Sequence, residues 1–197
     1  MSKSAKIWLF LLIVGTIFWL GGINVRFIIG NDLLNYDEFS FRTSIPTDEE
    51  NMIFKLLSYT SVLIMISYFV VLVSAIFFLK KCKIDFKENP WLLMSAILFF
   101  VFVPVEFYTT YLDIRFYQLF FEHPPNHDGL LKLFGERIGF LKGVPWIAIL
   151  SYYTIILIAV FKPLKKSKEE LELDKKKTEE YSYKYNMHEK DDLENII

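Results

Sequence analysis

The run Trp91–Leu112 holds 22 residues and a single charge, Glu106, with Asp113 directly after it. At about 1.5 Å per residue, a helix of that length crosses the ~30 Å hydrocarbon core of a bilayer. Nothing else in the chain limits the fold so strongly. A segment in hydrocarbon has no water to satisfy its amides and carbonyls, so it must be a helix or part of a closed barrel. A carboxylate inside such a helix is expensive, and it marks a place where function or architecture is concentrated.

Three further runs repeat the pattern. Ile7–Asn24 is uncharged over 18 residues, and the apolar character resumes after Arg26 as far as Ile29. Met52–Leu79 carries only Lys55, near its start, where a long side chain can snorkel to the interface. Pro145–Phe161 carries no charge. The chain of 197 residues is therefore expected to be an all-α membrane protein. Its four transmembrane helices are expected at about residues 7–29, 52–79, 91–113 and 145–162, within a membrane domain 1–163 followed by a charged cytoplasmic tail, 164–197. A cleaved signal peptide is the rival reading of the first run. That run is too long for an ordinary signal core and no A-x-A-like site follows it, so an uncleaved span is expected.

Orientation follows from the cations beside the spans. One side collects Lys3 and Lys6, then Lys80, Lys81, Lys83 and Lys87, then Lys162, Lys165, Lys166 and Lys168. The other has Arg42 in an acidic loop, and four cations diluted over the segment 113–143. Both termini are expected in the cytoplasm, with the two larger loops outside. Trp8, Trp91 and Trp146 fall at span ends, where aromatic anchors belong. Few Gly and Ala beside much Ile, Phe, Lys and Asn suggest an AT-rich bacterial genome, hence a bacterial inner membrane. The lone Cys82 excludes an intramolecular disulfide and a Cys-based zinc site. A net charge of −1 gives no electrostatic footprint for nucleic acid.

In the second outer segment, Asp128 is expected to cap a helix running to about Lys142. Leu130, Leu131, Phe134, Ile138 and Leu141 lie at helical spacing, with Lys132, Glu136 and Arg137 elsewhere on its surface. This outer amphipathic helix is expected in the membrane interface. Gly143 suits its stop and Pro145 the first turn of the next helix. Gly135, Gly139 and Gly143 recur every four residues, a spacing that lets another helix approach closely, so they are candidate partner contacts.

Glu106, Thr109 or Thr110, and Asp113 follow at spacings of three or four and share one helix face. Arg115 is turned half a circle away from Glu106, whereas Arg26, late in the first span, lies at comparable depth and is the expected partner of Glu106. Pro104 cannot donate to the carbonyl of Phe100, so a kink is expected just below the acid. Two readings fit this intramembrane polar face of Glu106, Thr109, Thr110, Asp113 and Arg26. It is an ion, proton or substrate site open to the outside, or it is an interhelical ion pair that holds helices together. The other three spans have no carboxylate and no span has a histidine, which argues against a membrane-crossing relay and against His-ligated haem.

Within Glu122-His123-Pro124-Pro125-Asn126-His127-Asp128, the residues His123, His127 and Asp128 are candidate metal ligands. The two prolines prevent one regular helix from presenting both imidazoles, so a hydrated loop is the expectation. No phosphate-binding loop, nucleophile elbow, dinucleotide fingerprint or kinase set is present, so no catalytic residue and no cofactor are assigned. The expected function is that of a non-enzymatic membrane subunit or accessory protein, with lipid and other membrane chains as partners and no nucleic acid. The alternative is a small transporter or channel with its polar site at Glu106 and Asp113. A membrane enzyme using His123, His127, Asp128 and Glu136 of the outer loop is third.

Overall fold

The computed structural model of the chain describes residues 2–35, 40–42, 44–82, 86–122, 126–139 and 143–165, with positions 167, 169, 170, 172, 173, 176, 177 and 181 of the tail. It is mostly helical. In chain order the elements are α1 (Lys3–Asn31), β1 (Leu34–Asn35), β2 (Ser40–Phe41), α2 (Thr47–Cys82), α3 (Pro90–Val101), α4 (Val103–Phe121), α5 (His127–Gly139) and α6 (Val144–Phe161). Among the described residues, four helical segments are long and apolar enough to cross a membrane: α1, α2, α3 with α4, and α6. Their outward surfaces carry large apolar side chains such as Phe10, Ile17 and Ile28, a distribution that suits lipid and not water. The architecture is consistent with an integral membrane protein. Lys83, Lys142, Lys166, Lys168, Leu141, His123, Pro124, Pro125 and most of the charged tail lie outside the described residues.

Two compact units divide the chain, Met1–Ile84 with Leu98–Tyr153, and Asp85–Ile97 with Thr154–Ile197. In the second, the Lys162 ammonium lies over the Trp91 ring at 5.7 Å, and Ser95 bonds back to the carbonyl of Trp91 at 2.9 Å. The first unit contains every element of the site described below.

The pairing of α1 with α2 rests on two glycines. A Cβ on Gly15 would lie 3.0 Å from Val71 Cγ2, and one on Gly22 would lie 2.9 Å from Ile64 Cγ1. As the α1 number rises by seven, the α2 number falls by seven, so the helices run antiparallel with their backbones close. Small residues permit that approach where apolar burial alone gives no drive between helices. The same register stacks Trp8 on Phe77, with centroids 4.6 Å apart. Extended at 1.5 Å per residue, the 36 residues of α2 span about 54 Å, more than the hydrocarbon core. Asp48, Glu49 and Glu50 occupy its first turn and Lys80 and Lys81 its last, which complements the helix dipole.

A single residue, Phe102, interrupts the helix between α3 and α4. Phe102 adopts φ −92° and ψ 0°, and Pro104 sits in the first turn of α4. The helix restarts with Glu106 N–H bonding to Phe102 O at 3.0 Å, so the acid enters on a fresh first turn. Past Asp113, α4 continues to Phe121. This extension buries Phe116 against the apolar stripe of α5, packing that the alternation of aromatic and polar residues does not announce.

Leu33, Phe54, Leu57, Phe116, Leu130 and Phe134 form a core cluster at this end of the first unit. Asn126, not Asp128, caps α5, its Oδ1 accepting from Gly129 N–H at 2.9 Å. Asn is among the best caps, and Asp128 falls in the first turn. The stripe of α5 meets protein: Leu130 and Phe134 are buried in that cluster. Phe134 seats on Gly30, where a Cβ would lie 2.5 Å from its Cζ. The acidic loop after α1 holds a minimal ladder pairing Leu34 with Phe41 and Asn35 with Ser40.

Candidate functional site: a buried charge cluster and its cavity

Four elements bring their polar groups together beside the core cluster. Asp113 of α4 is the hub. Its Oδ1 receives Arg26 Nη1 from α1 at 2.8 Å and Arg137 Nε from α5 at 2.7 Å. The Arg26 and Asp113 side chains are each 4% exposed, and Arg137 is 18% exposed. Arg26 Nη1 also donates to the Ser61 hydroxyl of α2, which in turn donates to Leu57 O at 2.7 Å. The guanidinium carbon of Arg26 lies 6.0 Å from the centroid of Phe116, within range of a cation–π contact. Nε and Nη2 of Arg26 are buried without a hydrogen-bond partner.

Glu106, two turns earlier on the same face of α4, has a different partner from the one expected. The hydroxyl of Tyr152 on α6 donates to its Oε1 at 3.0 Å. Thr109 is buried and bonds back to Glu106 O at 3.1 Å, so its hydroxyl serves the backbone. Arg26, beside Ser61 of α2, meets Asp113, two turns further along α4 than Glu106. Tyr152 lies against Trp19, with centroids 4.6 Å apart, and Trp19 lies 5.1 Å from Tyr68, so an aromatic wall closes the site towards the middle of the spans. Thr110 turns to another face of α4, where it lines an apolar groove with Tyr68 and Met65. Arg115 is exposed, away from the cluster, as the helical period requires.

A cavity of about 540 Å³ opens beside the cluster, between the last turns of α1, the first turns of α6, and α5. Its walls include both Arg26 and Arg137, while Asp113 and Glu106 do not reach it. Phe27 and Trp146, in edge-to-face contact at 5.0 Å, stand on its α1 and α6 walls.

The remaining expected positions are dispersed. His127 begins α5, and its Nε2 meets Glu50 Oε2 of α2, while Nδ1 lies 3.5 Å from Asp128 Oδ1. Hydrogen bonding to Glu50 raises the His127 pKa above its ordinary value; partial burial opposes this, and the Glu50 and Asp128 charges add to it. His123 lies outside the described residues. Among the described residues no three His, Cys, Asp or Glu side chains converge as metal ligands would. The glycine row also divides by position. Gly135 is covered by Phe41, whose Cζ would lie 3.3 Å from an added Cβ, Gly139 faces open space, and Gly143 forms the turn before α6 at φ +97°.

No protein-family model, curated protein or solved structure matches the chain. Its function must therefore be argued from the site itself. Arg137 and Tyr152 are the members that spacing alone did not select. Arg137 lies seven residues after Leu130 and three after Phe134, on the apolar face of α5 and not elsewhere on its surface. A cation on an apolar stripe is the signal that identifies it.

Proposed function

We propose that the chain is a non-enzymatic integral membrane protein, a subunit or accessory chain that assembles with other membrane proteins. The observation that carries this reading is the use made of the two span carboxylates. Asp113 ties α1 and α5 to α4 through two guanidiniums, and Glu106 ties α6 to α4 through Tyr152. Groups engaged in this way hold helices in register, the role for which intramembrane polar pairs are best suited when no relay continues beyond them. The lysine distribution supports cytoplasmic termini, and composition supports a bacterial inner membrane. The partners are other membrane chains and lipid. The test is affinity purification of the tagged full chain from native membranes in mild detergent, followed by crosslinking and light scattering. A membrane protein co-purifying at fixed stoichiometry is the expected result. A monodisperse monomer with no companion would refute the assembly role.

A further inference from the structure

The cavity beside the charge cluster does something the helix-tying role does not require. We propose that it binds one anionic amphiphile, an oxyanion head held by Arg137 and Arg26 with its apolar chain against Phe27, Trp146 and Ile149. Charge is the first argument. The ionisable side chains on the cavity wall are both arginines, and the carboxylate they share stands behind that wall. Glu106 makes no ion pair with either of them and is held by Tyr152. Whatever the balance behind it, the surface turned to the cavity presents guanidiniums and no carboxylate among the described residues, and a charge in a low-dielectric place requires a partner.

Donor geometry is the second argument. Arg26 has two buried nitrogens, Nε and Nη2, without acceptors among the described residues. Among the described residues Arg137 bonds to Asp113 through Nε, and its side chain lines the cavity. A guanidinium fork matches the spaced oxygens of a phosphate or carboxylate better than any neutral group. Shape and depth are the third. A volume of about 540 Å³ falls within the range of ligand pockets, and most of the lining is apolar. The cavity lies where α1 ends and α6 begins. That is the level at which indole rings and lipid headgroups meet. The shared chemistry is an oxyanion on an apolar chain, and either a bilayer phospholipid or a free fatty acid supplies it.

Native mass spectrometry of the full chain in mild detergent tests this, with dioleoyl phosphatidylglycerol, dioleoyl phosphatidylcholine and oleate titrated separately. The expected result is one bound equivalent of phosphatidylglycerol or of oleate, whichever is the source, with phosphatidylcholine about tenfold weaker. Arg137→Gln is expected to weaken the bound anion about tenfold, the loss of one charge-assisted contact. Because Arg137 also contacts Asp113, a second variant, Ile149→Trp, fills the cavity without touching an ionised group. It is expected to lower anion binding while leaving thermal stability unchanged. Equal binding of all three probes, or retention unaffected by both variants, would overturn the proposal.

Discussion

Asp113→Asn is the most direct perturbation of the cluster. It keeps the size of the side chain and removes only the charge that two arginines share. Arg26 then remains 4% exposed with no counter-ion, and its other contact, the Ser61 hydroxyl, carries no charge. Removing one partner of a buried pair costs about 3–5 kcal/mol, because the other charge stays buried. Arg137 is 18% exposed and recovers part of its solvation, so Arg137→Gln should cost less, about 1–2 kcal/mol. Adding Arg26→Met to Asp113→Asn removes the stranded cation, and the combined loss should fall to about 1–2 kcal/mol. The coupling between the two positions is then about 2 kcal/mol or more, the mark of groups that act together. Equilibrium unfolding of the full chain in mixed micelles, followed by tryptophan fluorescence, measures all four states. Arg115→Gln, on the exposed face of α4, is the control and should stay within about 0.5 kcal/mol of the native chain. If Asp113→Asn matches that control, or if the double variant simply adds the two single losses, Asp113 is not the hub of the first unit.

Two further expectations follow from contacts at the same end. Gly30→Ala places a methyl 2.5 Å from Phe134 Cζ in a packed core, so it should destabilise by about 1–3 kcal/mol, and adding Phe134→Leu should recover part of the loss in the same unfolding assay; an unchanged Gly30→Ala chain would mean that α5 does not seat there. His127 binds its proton more tightly when folded, chiefly through Glu50, so its contribution is full below the unfolded value of about 6.5 and is lost as pH rises through the folded one. Amide exchange in the first turns of α5 should accordingly quicken as pH rises through that interval, beyond the intrinsic rate, and His127→Gln should abolish the dependence; identical profiles in the two proteins would remove His127 from the docking of α5.

The four membrane-length helices are legible in the chain because the requirement that sets them, an uncharged run of bilayer length, is local. The face shared by Glu106, Thr109 and Asp113 is legible for the same reason, since helical spacing fixes it without neighbours. Pairing across helices is another matter. Depth along the span points Arg26 to Glu106, whereas the guanidinium meets Asp113, two turns further along α4. Which acid it meets depends on how α4 packs on the α1–α2 pair, and spacing within one helix does not carry that information. Tyr152 stands in a polar stretch with Ser151 and Tyr153, and what distinguishes it is packing against Trp19, Phe99 and Phe102, contacts that lie far away in sequence. Arg137 was readable in principle from its place on the stripe of α5. It was obscured by the expectation that this stripe would meet lipid.

The contact between Arg26 and Ser61 has a consequence for how the chain is made. Both residues belong to the first helical hairpin, whereas Asp113 and Arg137 leave the ribosome much later. During synthesis, the N-terminal part of a chain meets its folding environment first. Until Asp113 is translated, the partner that the first hairpin offers the guanidinium among the described contacts is the Ser61 hydroxyl, itself anchored to Leu57 O, so the chain's first two helices already carry a polar host for Arg26.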